Sequence, residues 1–175
     1  DPTVKEVGHS FGEKVEETLV DKLIEIDPRF VAPDTKRAMQ DVKFEDDLIN
    51  IKFGFDKKGQ PNMVAFNRLS EKLLKDEIDS YYIISIDGKD KKVTFFDLYQ
   101  HLSYTNYNVG TGQVMLKEKS FFESFDQEKD YSVSKYTVIQ TLRKMKVQSH
   151  NDHVKLKEIQ LKKSLELFDK TLSRY

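Results

Sequence analysis

The chain has 175 residues and a formal net charge of −1, with 38% hydrophobic and 34% charged residues. This length suits one domain with a hydrophobic core, and no apolar run approaches the roughly 18 residues that span a bilayer, so we expect no membrane partner. Cysteine is absent, which excludes disulfides and thiolate metal sites. The absence of cysteine and of a secretory pattern at the N-terminus leads us to expect an intracellular, cytoplasmic protein.

Hydrophobic patterning predicts a helix and two strands in the first third of the chain. Apolar residues recur at helical spacing over residues 10–26, and residues 29–40 are predicted to be irregular or to include a short strand. Val42–Phe44 alternates apolar and polar residues, and residues 48–53 continue as a second strand after an acidic turn. A polar loop over residues 54–61 follows.

The middle of the chain predicts a second helix and a hairpin. Residues 63–78 have the amphipathic pattern of a helix, and residues 81–86 form a nearly unbroken apolar strand that we expect to be buried on both faces. Residues 93–96 return as the partner strand. The stretch 103–113, rich in Asn, Tyr, Gly and Thr, is predicted to be a loop, and residues 113–116 a last strand.

The C-terminal segment is predicted to be helical and is basic. It begins near residue 134 and is expected to break near residues 149–152. Residues 134–175 contain 10 Lys or Arg and 4 Asp or Glu, whereas the other 133 residues contain 19 and 26. A basic helix on an acidic body suits contact with phosphates, and a solvated Lys-rich helix is the alternative.

This order of elements predicts an α/β (α+β) fold. A mixed central sheet is flanked by helices and followed by a helical C-terminal tail. We divide the chain into an α/β core, residues 1–133, and a basic helical segment, residues 134–175. That segment is expected to pack on the core or at a dimer interface.

An acid, an amide and a lysine stand on the first two predicted strands. Hydrolysis of a phosphodiester uses a metal that polarises a phosphoryl oxygen and lowers the pKa of a bound water. Hard divalent cations take oxygen ligands, which Asp41, the Asn50 amide and the main-chain carbonyl of Ile51 can supply. Period-two geometry puts Asn50 and Lys52 on one face, where Lys52 would orient the attacking water or stabilise charge on the phosphate. An ordinary surface hairpin with charges on its wet face is the alternative.

These residues resemble the PD-(D/E)xK nuclease superfamily, and within it the type II restriction endonucleases, over roughly residues 8–86. Asp41 matches the acid of the PD element, and Asn50-Ile51-Lys52 matches the (D/E)xK element. The later Gly-Gln-Pro-Asn of residues 59–62 is similar to an N-x-K … G-x-P-N form in some restriction enzymes. The sequence departs from the pattern at Gln40, which stands in place of proline, and at Asn50, which replaces an acid.

The resemblance implies a restriction-endonuclease-like fold and a Mg²⁺-dependent, sequence-specific DNA endonuclease that also accepts Mn²⁺. Asp41 would be the main metal ligand, Asn50 and the Ile51 carbonyl secondary ligands, and Lys52 a catalytic residue. The family's first helix usually adds an acid, and Glu16 fits that spacing better than Glu17. A homodimer on palindromic double-stranded DNA is implied, because two-fold symmetric proteins match two-fold symmetric sites.

Amide and basic side chains outside this site have the chemistry to contact DNA. Asn and Gln can pair with base edges, and Lys and Arg with phosphates, although a turn-rich surface loop explains residues 104–113 equally well. The candidates are Gln60, Asn62, Asn106, Asn108, Gln113, Arg143 and Lys144.

Two other functions stay open at this stage. One is a repair or recombination nuclease of the same fold. The other is a non-catalytic DNA-binding or interaction domain on a degenerate nuclease scaffold, and the neutral Asn50 in an acid's position is the residue that favours it.

Overall fold

Two β-sheets and four helices lie in the parts of the chain that the structure describes. It is a computed structural model that describes residues 9–35, 38–54, 62–126 and 129–174. The helices are α1 His9–Ile26, α2 Phe66–Leu74, α3 Glu118–Ser124 and α4 Lys135–Leu172, and a 3₁₀ segment covers Tyr99–Tyr104. The strands are β1 Phe30–Val31, β2 Val42–Phe44, β3 Asp47–Gly54, β4 Asn62–Ala65, β5 Tyr81–Asp87, β6 Lys92–Asp97, β7 Thr105–Asn108 and β8 Gln113–Leu116.

The larger sheet is mixed, as predicted. Its five strands lie in the order β1-β2-β3-β5-β6. Strand β3 runs parallel to β5, and every other neighbouring pair is antiparallel. The parallel pair is possible because the chain crosses over between β3 and β5 through β4 and α2. The predicted β5–β6 hairpin is confirmed, whereas β5, predicted to be buried on both faces, is buried on one face and partly buried on the other.

Helix α1 covers one face of this sheet. Its bounds, His9–Ile26, confirm the helix predicted from apolar spacing. Leu19, Val20 and Leu23 pack on a small cluster formed by buried residues of β2 and β3. The helix is therefore fixed across β3, and its polar side chains lie along the border of that strand.

The main hydrophobic core lies on the opposite face. It joins the sheet to α2, to the smaller sheet, to α3 and to the first half of α4. Fully buried side chains at its centre include Leu69, Tyr81, Ile83, Leu116 and Phe121. Truncating one such leucine or isoleucine to alanine is expected to destabilise the fold by about 2–5 kcal/mol.

A second sheet of three strands, in the order β4-β8-β7, was not predicted. Residues 105–108 had been assigned to a loop because of their polar composition. They form a strand because Thr105 and Tyr107 point inward, with Tyr107 packed edge-on to Phe66 at 5.4 Å between ring centroids, while the asparagines face outward. Residues 105–108 do alternate with the period of two that a strand has, but all four are polar or amphipathic, so hydrophobicity does not reveal the alternation.

The helix predicted over residues 63–78 is wrong at both ends. Residues 62–65 form β4, which pairs with β8, and α2 extends only over Phe66–Leu74. Met63 and Val64 are both buried, at 2% and 4% exposure. Consecutive buried residues fit a strand inside a core, and a short apolar run does not distinguish strand from helix by periodicity.

Helix α4 is continuous, so the break predicted near residues 149–152 is also wrong. Ser134 begins the helix, and its Oγ accepts a hydrogen bond from Thr137 N at 3.3 Å. The polar residues in the middle are accommodated within the helix: Ser149 Oγ donates to the Lys146 carbonyl, and Gln148 Nε2 donates to Asp152 Oδ1, each at 2.8 Å. None of the helices in the described ranges combines the length and apolar character that crossing a membrane requires.

Candidate active site

The site lies at the edge of β3, where its neighbour β2 stops. Register pairing between the two strands runs only as far as Val42 and Ile49. One residue before β2, Asp41 N donates to the Ile49 carbonyl at 3.0 Å. Beyond that point, β3 continues to Gly54 without a neighbouring strand among the described residues on this side, so its N–H and C=O groups there point to an open edge.

Two carboxylates occupy that edge and accept hydrogen bonds from alternate residues of β3. Ile51 N donates to Asp41 Oδ2 at 2.6 Å, and Phe53 N donates to Glu16 Oε1 at 3.2 Å. Asp41 and Glu16 come from different elements, since one precedes β2 and the other lies in α1. The structure therefore brings together two predicted site residues that are 25 positions apart in the sequence.

Contacts around Phe53 hold Glu16 in this position. The ring of Phe53 lies edge-on to Phe11 with 5.7 Å between centroids. At Gly12, an added Cβ would lie 4.0 Å from Phe53 Cδ1, so the helix passes close to the strand. Glu16 is one helical turn after Gly12 and faces the same side. The Gly-x-x-x-Glu spacing thus places a carboxylate beside the Phe53 amide.

Lys52 completes a charged cluster with the two acids. Its Nζ lies 3.9 Å from Asp41 Oδ2, and the two side chains are only 22% and 32% exposed. Burial raises the pKa of Glu16, while the Lys52 charge and the Phe53 amide oppose that shift and the Asp41 charge adds to it. Both neighbouring charges, that of Lys52 and that of Asp41, therefore act on the Glu16 carboxyl.

Asn50 lies on the same strand and is buried, with 6% exposure. Its Nδ2 donates to the Met39 carbonyl at 3.1 Å and to the Tyr81 hydroxyl at 3.0 Å. Both amide hydrogens are therefore committed, which fixes the orientation of the side chain. Its Oδ1 is buried and accepts no hydrogen bond from any described residue. Tyr81 was not singled out in the sequence, and its burial raises the pKa of its phenol.

A groove of about 460 Å³ lies between α1 and described residues of the stretches 33–35 and 38–41. Its carboxylates outnumber its other polar groups, and such a wall repels phosphates until a cation neutralises it. The acids that line it are Glu13, Glu16, Glu17, Asp21 and Asp41. Of these, Glu13 and Asp21 were not identified from the sequence, although both lie one turn or so from Glu16 or Glu17 on the same helix.

The donors at this edge suit a hard divalent cation in kind, since all are oxygens. Two are the carboxylates of Asp41 and Glu16. A third is the Ile51 carbonyl, because the N–H and C=O of one strand residue point to the same edge. Asn50 Oδ1 is a neutral acceptor without a described hydrogen bond, but it is buried, and Asn50 is not among the residues that line the groove. Within the described ranges, no three His, Asp or Glu side chains form a metal-binding group, so such an ion would need these neutral oxygens.

Four of the predicted DNA contacts share one face of the smaller sheet. Asn62 and Asn106 are both in register with Met115, and Asn108 is in register with Gln113. Asn108 Nδ2 approaches Asn62 Oδ1 at 3.4 Å. Asn108 Oδ1 also accepts from the Gly110 and Thr111 amides and so holds the β7–β8 turn. We call this surface, formed by Asn62, Asn106, Asn108 and Gln113, the amide face.

The remaining predicted contacts are dispersed. Arg143 and Lys144 are exposed on α4. Gln60 lies outside the described residues. Lys146, on the same basic stretch of α4 and also a candidate for phosphate contact, donates from its Nζ to Asn67 Oδ1 at 2.7 Å and so joins α4 to α2.

The chain matches no protein-family model, and no curated protein is similar to it in sequence.

Proposed function

We propose that this protein is a Mg²⁺-dependent DNA endonuclease with a restriction-endonuclease-like fold. The observation that carries the proposal is the pairing of Asp41 and Glu16 with the main-chain amides at the open edge of β3, beside Lys52. Two carboxylates from different elements, half-buried in an acidic groove, would form a cation site, and the lysine beside Asp41 would act on the phosphate.

The metal would be held by Asp41, Glu16, the Ile51 carbonyl and Asn50 Oδ1. Asp41 and Glu16 each keep one carboxylate oxygen in addition to the one bound to β3. When bound, a divalent cation supplies Lewis-acid polarisation of the phosphate and lowers the pKa of water. Mn²⁺ has the same preference for oxygen donors and is expected to substitute.

Lys52 would act on the phosphate or on the attacking water. Its ammonium group has donors left over, because its Asp41 partner is 3.9 Å away, which is beyond a good hydrogen bond. Lys52 is only 22% exposed and lies beside Asp41, so its ammonium group has a defined position. It can therefore donate to a water or to a phosphate oxygen that enters the groove.

Binding of double-stranded DNA would use the amide face and the basic residues of α4. Amide side chains can donate to and accept from the same base pair, which gives sequence specificity. Arg143 and Lys144 would contact phosphates, whose interaction supplies affinity without specificity. Cleavage of both strands of a palindromic site would require a homodimer, since each chain offers one such site.

A second candidate function is DNA binding without cleavage. The observation in its favour concerns Asn50. Its side chain is neutral, and both of its amide hydrogens are donated to the Met39 carbonyl and the Tyr81 hydroxyl. A site with one carboxylate fewer than the family pattern binds metal less tightly, because cation affinity depends on ligand charge.

Plasmid digestion in Mg²⁺ and in EDTA tests the proposal. The wild-type chain is expected to give discrete fragments in Mg²⁺ and none in EDTA, and Asp41→Asn is expected to lose cleavage. Asp46→Asn is the matched control, because Asp46 lies at the β2–β3 turn with a fully exposed side chain. A smear of fragments would favour a repair or recombination nuclease. Bound but uncut DNA in Mg²⁺ and Mn²⁺ would favour the binding domain.

A further inference from the structure

The second half of α4 extends from the body with no covering element among the described residues. The helix has 38 residues, and its buried side chains, Val138, Leu142 and Ser149, all lie in the first half. Every described residue from 153 to 174 is exposed. Most of the stability of a helix in a protein comes from packing of its apolar face, so we expect this segment to have a packing partner.

The exposed apolar residues of this segment follow a heptad. Val147, Val154, Leu161 and Phe168 are seven residues apart, and Leu165 and Leu172 follow the last two by four. These six side chains are 42–69% exposed. The alternating spacing of four and three residues is the pattern of a helix that pairs with a second helix in a coiled coil. Asn151 and Glu158 occupy the two polar positions of the same series. We call the whole series, the six apolar residues together with Asn151 and Glu158, the seam.

We propose that the seam of one chain packs antiparallel against the seam of a second copy. In this arrangement Leu161 lies opposite Leu165 of the partner subunit, and Val154 lies opposite Leu172 of the partner subunit. The paired region, residues 154–172, is roughly 28 Å long at the rise of an α-helix. The proposal depends on α4 alone and not on nuclease activity.

Charge beside the seam selects the antiparallel arrangement. The position that follows Val154, Leu161 and Phe168 is occupied by Lys155, Lys162 and Asp169. Antiparallel packing brings these positions of the two helices together, so that Lys155 lies beside Asp169 of the partner subunit twice per dimer, while Lys162 lies beside Lys162 of the partner subunit at the centre.

Parallel packing of two copies would instead be opposed by like charges. It would place Lys157 beside Lys162 of the partner subunit, and Glu158 would face its own copy inside the seam. In the antiparallel pair Glu158 faces Phe168 of the partner subunit. The carboxylate of Glu158 can also interact with Lys162, which lies four residues later on the same helix. The balance of charges therefore favours the antiparallel pair, which has two attractive contacts and one repulsive contact, whereas the parallel pair has three repulsive ones.

Sedimentation of the full chain with matched variants tests the dimer. The wild type is expected to be a dimer, and L161E/L165E is expected to raise its dissociation constant at least about a hundredfold, since four leucines per dimer are affected. The control I159E/L167E changes equally exposed apolar residues of the same helix, 53% and 66% exposed, that lie outside the seam. It is expected to stay dimeric. A monomeric wild type at submillimolar concentration, or equal effects of both variants, would overturn the proposal.

Cysteine cross-linking tests the direction, because the chain has no native cysteine. V154C/L172C is expected to form disulfide-linked dimers under oxidation, while V154C alone and L172C alone are not. The two positions are roughly 27 Å apart within one helix, so they cannot link within a chain. Efficient self-linking of V154C alone would contradict the antiparallel arrangement. No linking in any variant would overturn the pairing of the two seams.

Discussion

Asn50 Nδ2 lies 3.0 Å from the hydroxyl oxygen of Tyr81, and the two side chains share the Met39 carbonyl as an acceptor. Asn50 donates to both groups, and Tyr81 donates to Met39. Burial raises the pKa of the Tyr81 phenol, so its hydroxyl stays protonated and keeps donating. An asparagine satisfies this arrangement, whereas an aspartate has no hydrogen to donate at neutral pH.

Asn50→Asp is therefore expected to destabilise the metal-free protein, although it introduces the acid that the proposed nuclease site lacks at this position. The change leaves two hydrogen bonds unmade and buries a charge, and we expect a loss of about 2–4 kcal/mol. Urea unfolding in EDTA measures it. Asn151→Asp on the exposed part of α4 is the control and is expected to change stability by less than about 0.5 kcal/mol. If Asn50→Asp and the wild type are equally stable, the hydrogen bonds of Asn50 to Met39 and Tyr81 do not determine which residue position 50 accepts.

Glu16→Gln is expected to stabilise the protein and abolish cleavage. Burial raises the pKa of Glu16, so the folded state holds this proton more tightly than the unfolded state. The contribution of Glu16 to the free energy of unfolding is therefore fully present at pH values below the ordinary pKa of glutamate. It is lost as the pH rises through the raised pKa of the folded state. Glutamine carries no charge to bury, and its side-chain oxygen still accepts the hydrogen bond from Phe53 N. The thermal unfolding midpoint of Glu16→Gln at neutral pH should therefore exceed that of the wild type.

The matched control for Glu16 is Glu17→Gln, since Glu17 is the exposed neighbour on the same helix. It is expected to keep activity and an unchanged midpoint. Wild-type cleavage should also decline on acidification as Glu16 takes up its proton, because a neutral carboxyl is a poor ligand for Mg²⁺. Cleavage at the wild-type rate by Glu16→Gln would remove this residue from the site.

His101 is expected to make the fold sensitive to mild acid. It is 4% exposed, its Nδ1 lies 2.7 Å from the Asp97 carbonyl, and its Nε2 is buried without a partner among the described residues. Burial lowers its pKa, so the unfolded chain binds the proton more readily. Stability should therefore fall as pH drops below about 6.5, by up to about 1 kcal/mol per pH unit.

Urea unfolding between about pH 7.5 and pH 5.5 measures this dependence. His101→Phe keeps an aromatic ring among Phe96 and Phe121 and is expected to flatten the acid slope, although it loses the bond to Asp97. His153→Gln, at an exposed position, should leave the slope unchanged. An unchanged slope in His101→Phe would assign the acid sensitivity to other groups.

The sequence predicted the elements whose side-chain pattern follows one clear period. Helix α1 and the β5–β6 hairpin are of this kind, because one face of each is apolar over several turns or residues. Strand β7 was missed because its outward side is entirely asparagine, and β4 because two consecutive residues are buried. Helix α3 was missed because its seven residues are too few to show a helical period.

At the candidate site, the spacing of Asp41, Asn50 and Lys52 predicted which side chains share a strand face but not which atoms they contact. Long-range contacts decide that. The Asn50 amide is oriented by Met39 and by Tyr81, 31 positions later, and Glu16 reaches β3 only because Gly12 and Phe53 bring α1 close to it. No local pattern in the sequence encodes those contacts.

The most direct test of the nuclease proposal compares Lys52→Ala with Lys43→Ala in single-turnover cleavage and in DNA binding. Lys43 is the control because it lies on the adjacent strand β2 and pairs with Asp46 at the turn. Lys52→Ala is expected to slow Mg²⁺-dependent cleavage by at least about a hundredfold while DNA binding persists, and Lys43→Ala should cleave like the wild type. Cleavage by Lys52→Ala at the wild-type rate would contradict the proposed site.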